Sequence, residues 1–188
     1  EKEWMALFWE PDLADTWRRE LGADDFEVLR EMIPRTWRVD ADARIELADG
    51  TTTVMRELAA RPASSRHFVI KESGTSTTSS GAQSVRNLAA MQPDEVRRLI
   101  DDRSERSASF ILQETVDSAR IDFTALDPIK EVVVEERGAL VKMSPFYVDG
   151  QLTDIKFIAS NARLTVNDQA CVESVVRWRD VRGETDDT

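Results

Sequence analysis

Cysteine is nearly absent from these 188 residues, with Cys171 the single example. One thiol excludes an intramolecular disulfide framework, and with one histidine, His67, it excludes a Cys/His zinc site. His67 stands directly before Phe68-Val69-Ile70 and reads as a strand-start residue rather than a hydrolase base. Cys171 sits in an Ala-Cys-Val segment and reads as a small buried hydrophobe. Positive charge is scarce as well: 25 Lys and Arg face 36 Asp and Glu, a formal net charge of −11. With no Lys/Arg cluster, nucleic acid is excluded as an expected partner, because phosphate-backbone binding depends on positive charge. No apolar run reaches the roughly 18 residues a membrane helix needs, so no membrane partner is expected. No signal peptide opens the chain, and cytoplasm is the expected compartment. There is no internal repeat, and no biased tract beyond one Ser/Thr-rich loop.

What is present is ordinary globular text, 41% hydrophobic and 32% charged, enough for one substantial domain or two small lobes sharing a cleft. The first residues already read as helix, and the chain is expected to be part of a longer one. Trp4, Phe8, Trp9, Leu13 and Trp17 recur at helical spacing, interrupted by Pro11-Asp12. Two short helices are expected there, and a third over Asp24 to Met32. Pro34 then pushes the chain into extended structure. A Gly turn at Asp49-Gly50 precedes a predicted helix from about Thr52 to Ala60, capped by threonines and stopped by Pro62. Strands follow over 67–71 and about 82–88, with a helix opened by Gln92-Pro93-Asp94-Glu95 whose buried face is Val96, Leu99 and Ile100. Phe110 to Glu114 is a further strand. From Arg120 to Ile158 the text is mostly antiparallel strand, and Asp149-Gly150 is its strongest hairpin signal. A last helix is expected from about Asp168 to Trp178.

The stretch from Phe68 to Val85 stands out. An apolar run carries Lys71 into Glu72-Ser73-Gly74-Thr75-Ser76-Thr77-Thr78-Ser79-Ser80-Gly81. Small residues let backbone N–H groups approach an anion closely, hydroxyls add donors, and a lysine at the strand end supplies a point charge for phosphate oxygens. A hairpin tip following a lysine that pairs with a surface carboxylate, Glu72 or Glu114, would give much the same string.

The order of strand with lysine, small-residue loop, strand, helix, strand ending in Gln113-Glu114, then an antiparallel half resembles the ATP-grasp fold. The nearest group is the bacterial proteins related to glutathionylspermidine synthase. The likeness rests on Phe68-Val69-Ile70-Lys71 with its loop, on Phe110-Ile111-Leu112-Gln113-Glu114, and on Lys142-Met143-Ser144-Pro145-Phe146-Tyr147. It spans roughly residues 33–178.

The resemblance implies an α+β chain whose two lobes, antiparallel sheets flanked by helices, grip ATP. The reaction would be phosphoryl transfer to a carboxylate followed by attack of an amine on the acyl phosphate. It divides the chain into an N-terminal helical segment, 1–38, an N-lobe, 39–115, and a C-lobe, 116–188. It implies Lys71 on the α- and β-phosphates, and the loop from Ser73 through Gly74 to Gly81 over the triphosphate. Gln113, Glu114 and Val116 would lie beside the adenine, Asp117 or Asp122 at the ribose, and Lys142 at the transferring phosphate. For Mg²⁺ it implies a carboxylate and a Glu-x-Asn pair. The segment 154–168 carries no such pair and offers Asp154, Asn161, Asn167 and Asp168 instead, Asp154 and Asn167 being the expected ligands. The alternative is a relative that keeps the fold as a binding or assembly module, its N-terminal tryptophans covering an interface to preceding chain. An unrelated α+β enzyme that takes no nucleotide is the third reading.

Overall fold

The helical spacing of the first 33 residues folds into three helices: α1 (Glu3–Trp9), α2 (Ala14–Leu21) and α3 (Ala23–Met32), with a 3-10 turn at Pro11–Leu13 where the proline ends α1. The structure is a computed structural model that describes residues 2–74, 79, 84–106, 109–127, 131–160 and 172–176. It has the α+β architecture, helices beside antiparallel sheets, in two units, Glu1–Val116 and Asp117–Thr188. No described helix is long and apolar enough to cross a membrane.

In the first unit, β1 (Thr36–Arg38), β4 (Phe68–Ser73), β5 (Arg86–Asn87) and β6 (Ser109–Glu114) form one antiparallel sheet in the order β1-β6-β4-β5. Alternation along the strands separates its two faces. Phe68 and Ile70 of β4 lie with Phe110 and Leu112 of β6 in a core completed by Met55, Leu58, Val96 and Ile100. The last two come from α4 (Pro93–Ser104). The opposite face carries Val69, Lys71, Ser73, Ile111, Gln113 and Thr36, and α1 packs there. A second apolar cluster, Phe8, Phe26 and Ile33 with Trp9 and Trp17 against it, joins the three N-terminal helices. The Trp17 indole N–H also donates to the Leu7 carbonyl at 3.1 Å. Of the described N-terminal tryptophans, Trp4 is exposed.

Two expectations of helix are corrected. Residues 52–54 form a strand, β3 (Thr52–Val54), paired with β2 (Arg44–Glu46). The Asp49 carboxylate accepts from both the Thr51 N–H and the Thr51 hydroxyl, closing a hairpin turn that draws the β-branched threonines into pairing. A 3-10 helix, Met55–Ala60, follows, with the Glu57 carboxylate accepting from the Val54 N–H and the Thr53 hydroxyl. Likewise Val172–Val176 is a strand, β10, antiparallel to β9 (Gln151–Ser160); the remainder of 168–178, Cys171 included, lies outside the described residues. The strand expected over 82–88 is described only at Arg86–Asn87, after which Leu88–Ala90 turns as a 3-10 helix.

The second unit is the sheet β10-β9-β8-β7, with β7 (Arg120–Asp127) and β8 (Val132–Val148). Asp149 and Gly150 both have positive φ, 49° and 76°, the backbone a two-residue hairpin turn needs to match the strand twist. Gly138, φ +63°, sits in a bulge where Asp122 faces two β8 residues. The Gly138 N–H donates to the Asp122 carboxylate at 2.8 Å, so this acid, a ribose candidate, holds the bulge.

One buried charge in the first unit has no counter-charge among the described residues. Arg66 is 2% exposed; one of its N–H groups donates to the Met91 carbonyl at 2.7 Å, while Nε and Nη1 have no partner among the described residues. Each buried donor left unpaired costs about 1–3 kcal/mol, and an apolar residue of similar shape removes that cost. Arg66→Met is therefore expected to raise the unfolding free energy of this unit by about 1–2 kcal/mol, read as a higher urea midpoint. An unchanged or lower midpoint would contradict this.

Candidate functional site

Lys71 leaves β4 on the face that α1 covers. Its register partner on β6 is Ile111, and the diagonal neighbour is Gln113, opposite Val69. The ammonium donates to Gln113 Oε1 at 2.6 Å. Gln113 is 6% exposed and uses both ends of its amide, since Nε2 donates to Thr36 Oγ1 at 2.9 Å and contacts Met5 Sδ at 3.3 Å. The Thr36 hydroxyl in turn donates to the Pro34 carbonyl at 2.8 Å. The expected partners of Lys71, Glu72 and Glu114, sit on the opposite face of the sheet because successive strand residues alternate. Its hydrogen-bond partner is an amide instead.

A second lysine, which the sequence reading did not single out, comes to the same place. Lys2 donates its ammonium to the backbone carbonyls of Glu72 and Ser79. Beside it, the Glu3 N–H donates to Ser73 Oγ at 2.9 Å, and Glu3 pairs with Arg38 at 2.7 Å. Burial first, and then the like charge of Lys2, hold the Lys71 amine below the ordinary lysine range. Ser73 is buried, Gly74 has φ +149°, and the Ser79 hydroxyl donates to the Gly74 carbonyl at 2.7 Å. Gly81 and the residues 75–78 and 80 lie outside the described residues. No local signal in the sequence marks Lys2; its role follows from where α1 lands.

The remaining site candidates fall in both units. Glu114 is half-buried at the end of β6, where burial raises its carboxyl above the usual range and Arg35 opposes that rise. Val116 and Asp117 are exposed. Lys142 is exposed on β8 of the second unit, opposite Ile158, and makes no ion pair among the described residues. Asp154 lies opposite Phe146, and its carboxylate accepts from the Ile155 N–H at 2.9 Å. Asn167 lies outside the described residues. Among the described residues no three His, Cys, Asp or Glu side chains gather as metal ligands.

A cleft of about 790 Å³ also opens in the first unit, lined by parts of α1, α3, β1 and β2. It holds four arginines, Arg30, Arg35, Arg38 and Arg44. They are spread over fifteen residues of sequence, too far apart to register as a basic cluster. Compared with protein-family models, curated proteins and solved structures, the chain matches none of them.

Proposed function

We propose that the Glu1–Val116 unit binds ATP in the manner of an ATP-grasp-like lobe, with phosphate oxygens between Lys71, Lys2 and the small-residue loop. The observation that carries this reading is the pair of ammonium groups. Lys2 reaches the Glu72 and Ser79 carbonyls, the two amines repel one another, and among the described residues their hydrogen bonds go only to amide oxygens. Neither has a carboxylate partner among the described residues. Two partly desolvated cations with no counter-charge favour an oxyanion between them, and a lysine forms its strongest bonds with charged acceptors. Gln113 acts in this reading as the positioning residue of the Lys71 amine. Val116 keeps the role beside the adenine that the resemblance implies, while the Glu114 side chain lies on the sheet face opposite Lys71.

Catalysis would be the joining of a carboxylate to an amine through an acyl phosphate. Phosphoryl transfer asks the protein mainly for positioned positive charge. The second reading is an ATP-binding or assembly module without ligase activity. It is favoured by one observation, the lack of a gathered acid cluster among the described residues, and no chemical step is assigned to a metal here. In a thermal-shift titration, ATP with Mg²⁺ is expected to raise the Tm to a plateau, as ligand selects the folded state. Lys71→Met is expected to fold and to lose that rise. Stabilisation without hydrolysis or ligation would select the module, and no rise with ATP would contradict the proposal.

A further inference from the structure

We propose that the 790 Å³ cleft beside β1 is a second binding site, one that takes a small organic oxyanion. Its size falls within the range of roughly 300–1,000 Å³ typical of ligand pockets. One wall is an edge of the sheet among the described strands. β1 is the outermost strand, and Arg35 and Val39 spend their backbone groups on β6, through Glu114 N–H to the Arg35 carbonyl and Val39 N–H to the Phe110 carbonyl. The alternation of antiparallel pairing then turns the backbone groups of Thr36 and Arg38 outward.

The charges on the walls define the ligand. Arg35 is paired with Glu46 at 3.3 Å and Arg38 with Glu3 at 2.7 Å. Arg30 and Arg44 have no carboxylate partner among the described residues. The Arg30 guanidinium lies 4.8 Å over the Trp9 ring and 5.7 Å from Phe26, and Arg35 approaches the same indole at 5.7 Å. The Arg30 guanidinium is held against the indole with no carboxylate partner among the described residues, while Arg35 beside it gives Nη1 to the Glu46 side chain and carbonyl. A stacked guanidinium with open donors recognises a carboxylate or phosphate oxygen pair. Glu10, Asp40 and Glu46 line the same cleft, so a polyanion such as a nucleoside triphosphate would meet repulsion there. A single oxyanion on a compact body, lying along the half-buried face of Trp37, is the ligand these walls fit. Neither Lys2 nor Lys71 lines the cleft.

The test uses the full chain and two probes, benzoate and inorganic phosphate, each against sodium chloride of equal ionic strength. NMR would follow the Arg30 side-chain N–H and the indole N–H signals. Saturable shifts with benzoate, with phosphate or with both are expected, and which probe binds tells carboxylate from phosphate ester. Arg30→Met should weaken binding about tenfold, and Arg44→Gln, on an exposed strand position, should weaken it without disturbing the Trp9 packing. Lys71→Met should leave it unchanged. No saturable shift with either probe, or affinity in both the Arg30→Met and Arg44→Gln variants equal to that of the unsubstituted chain, would overturn the inference.

Discussion

Leu112→Ala is expected to destabilise the first unit by about 2–5 kcal/mol. Leu112 is fully buried on β6, between β1 and β4 in the sheet, and belongs to the cluster that joins that sheet to α4 and to the 3-10 helix at Met55–Ala60. Truncation removes the transfer free energy of the side chain and leaves a cavity whose walls come from three separate elements. A strand flanked on both sides by partners has little freedom to collapse into that space. The measurement is the urea midpoint of the intact chain with the slope unchanged. A loss below about 1 kcal/mol would mean that the site relaxes, and would contradict the packing described for this core.

The second large effect falls on the polar cluster under α1. Gln113→Leu is expected to lower stability by about 1.5–3 kcal/mol. Leucine fills much the same space but deprives the Lys71 ammonium of its acceptor and Thr36 of a donor. Lys71→Met is expected to change stability by less than about 1 kcal/mol, because it removes a partly buried charge together with its repulsion from Lys2. In the double variant the loss from Gln113→Leu should shrink, giving a coupling of about 0.5–3 kcal/mol. Additive losses would show that the 2.6 Å contact carries no net energy. The two variants also separate support from recognition, since Lys71→Met alone leaves the fold standing.

What the sequence made legible were features whose cause is local. The Asp149-Gly150 turn was readable because both positions need positive φ. The helix at Pro93–Ser104 was readable because proline and acids mark its first turn. Thr52–Ala60 was misread because the Asp49 side chain, three residues upstream, closes a hairpin before a helix can start. Val172–Val176 was misread because a short Val-rich run satisfies helical and strand spacing alike. The Lys71–Gln113 contact depends on register, which places Lys71 opposite Ile111 and Val69 opposite Gln113. Periodicity showed that α1 has an apolar face but not that this face lies on the sheet beside Lys71. Lys2 therefore carried no signal.

The most direct test is an NMR titration of the lysine side-chain amines in the intact chain, with Lys71 assigned by the Lys71→Met variant. Without ligand, the Lys71 amine should titrate below an ordinary lysine. The unfolded chain then binds more protons than the native one across that window, so the contribution of Lys71 to stability rises with pH there. Saturating ATP should move its midpoint upward, as phosphate charge offsets both burial and Lys2. A midpoint that stays where it was in the presence of ATP would contradict the proposal that these two amines share an anion.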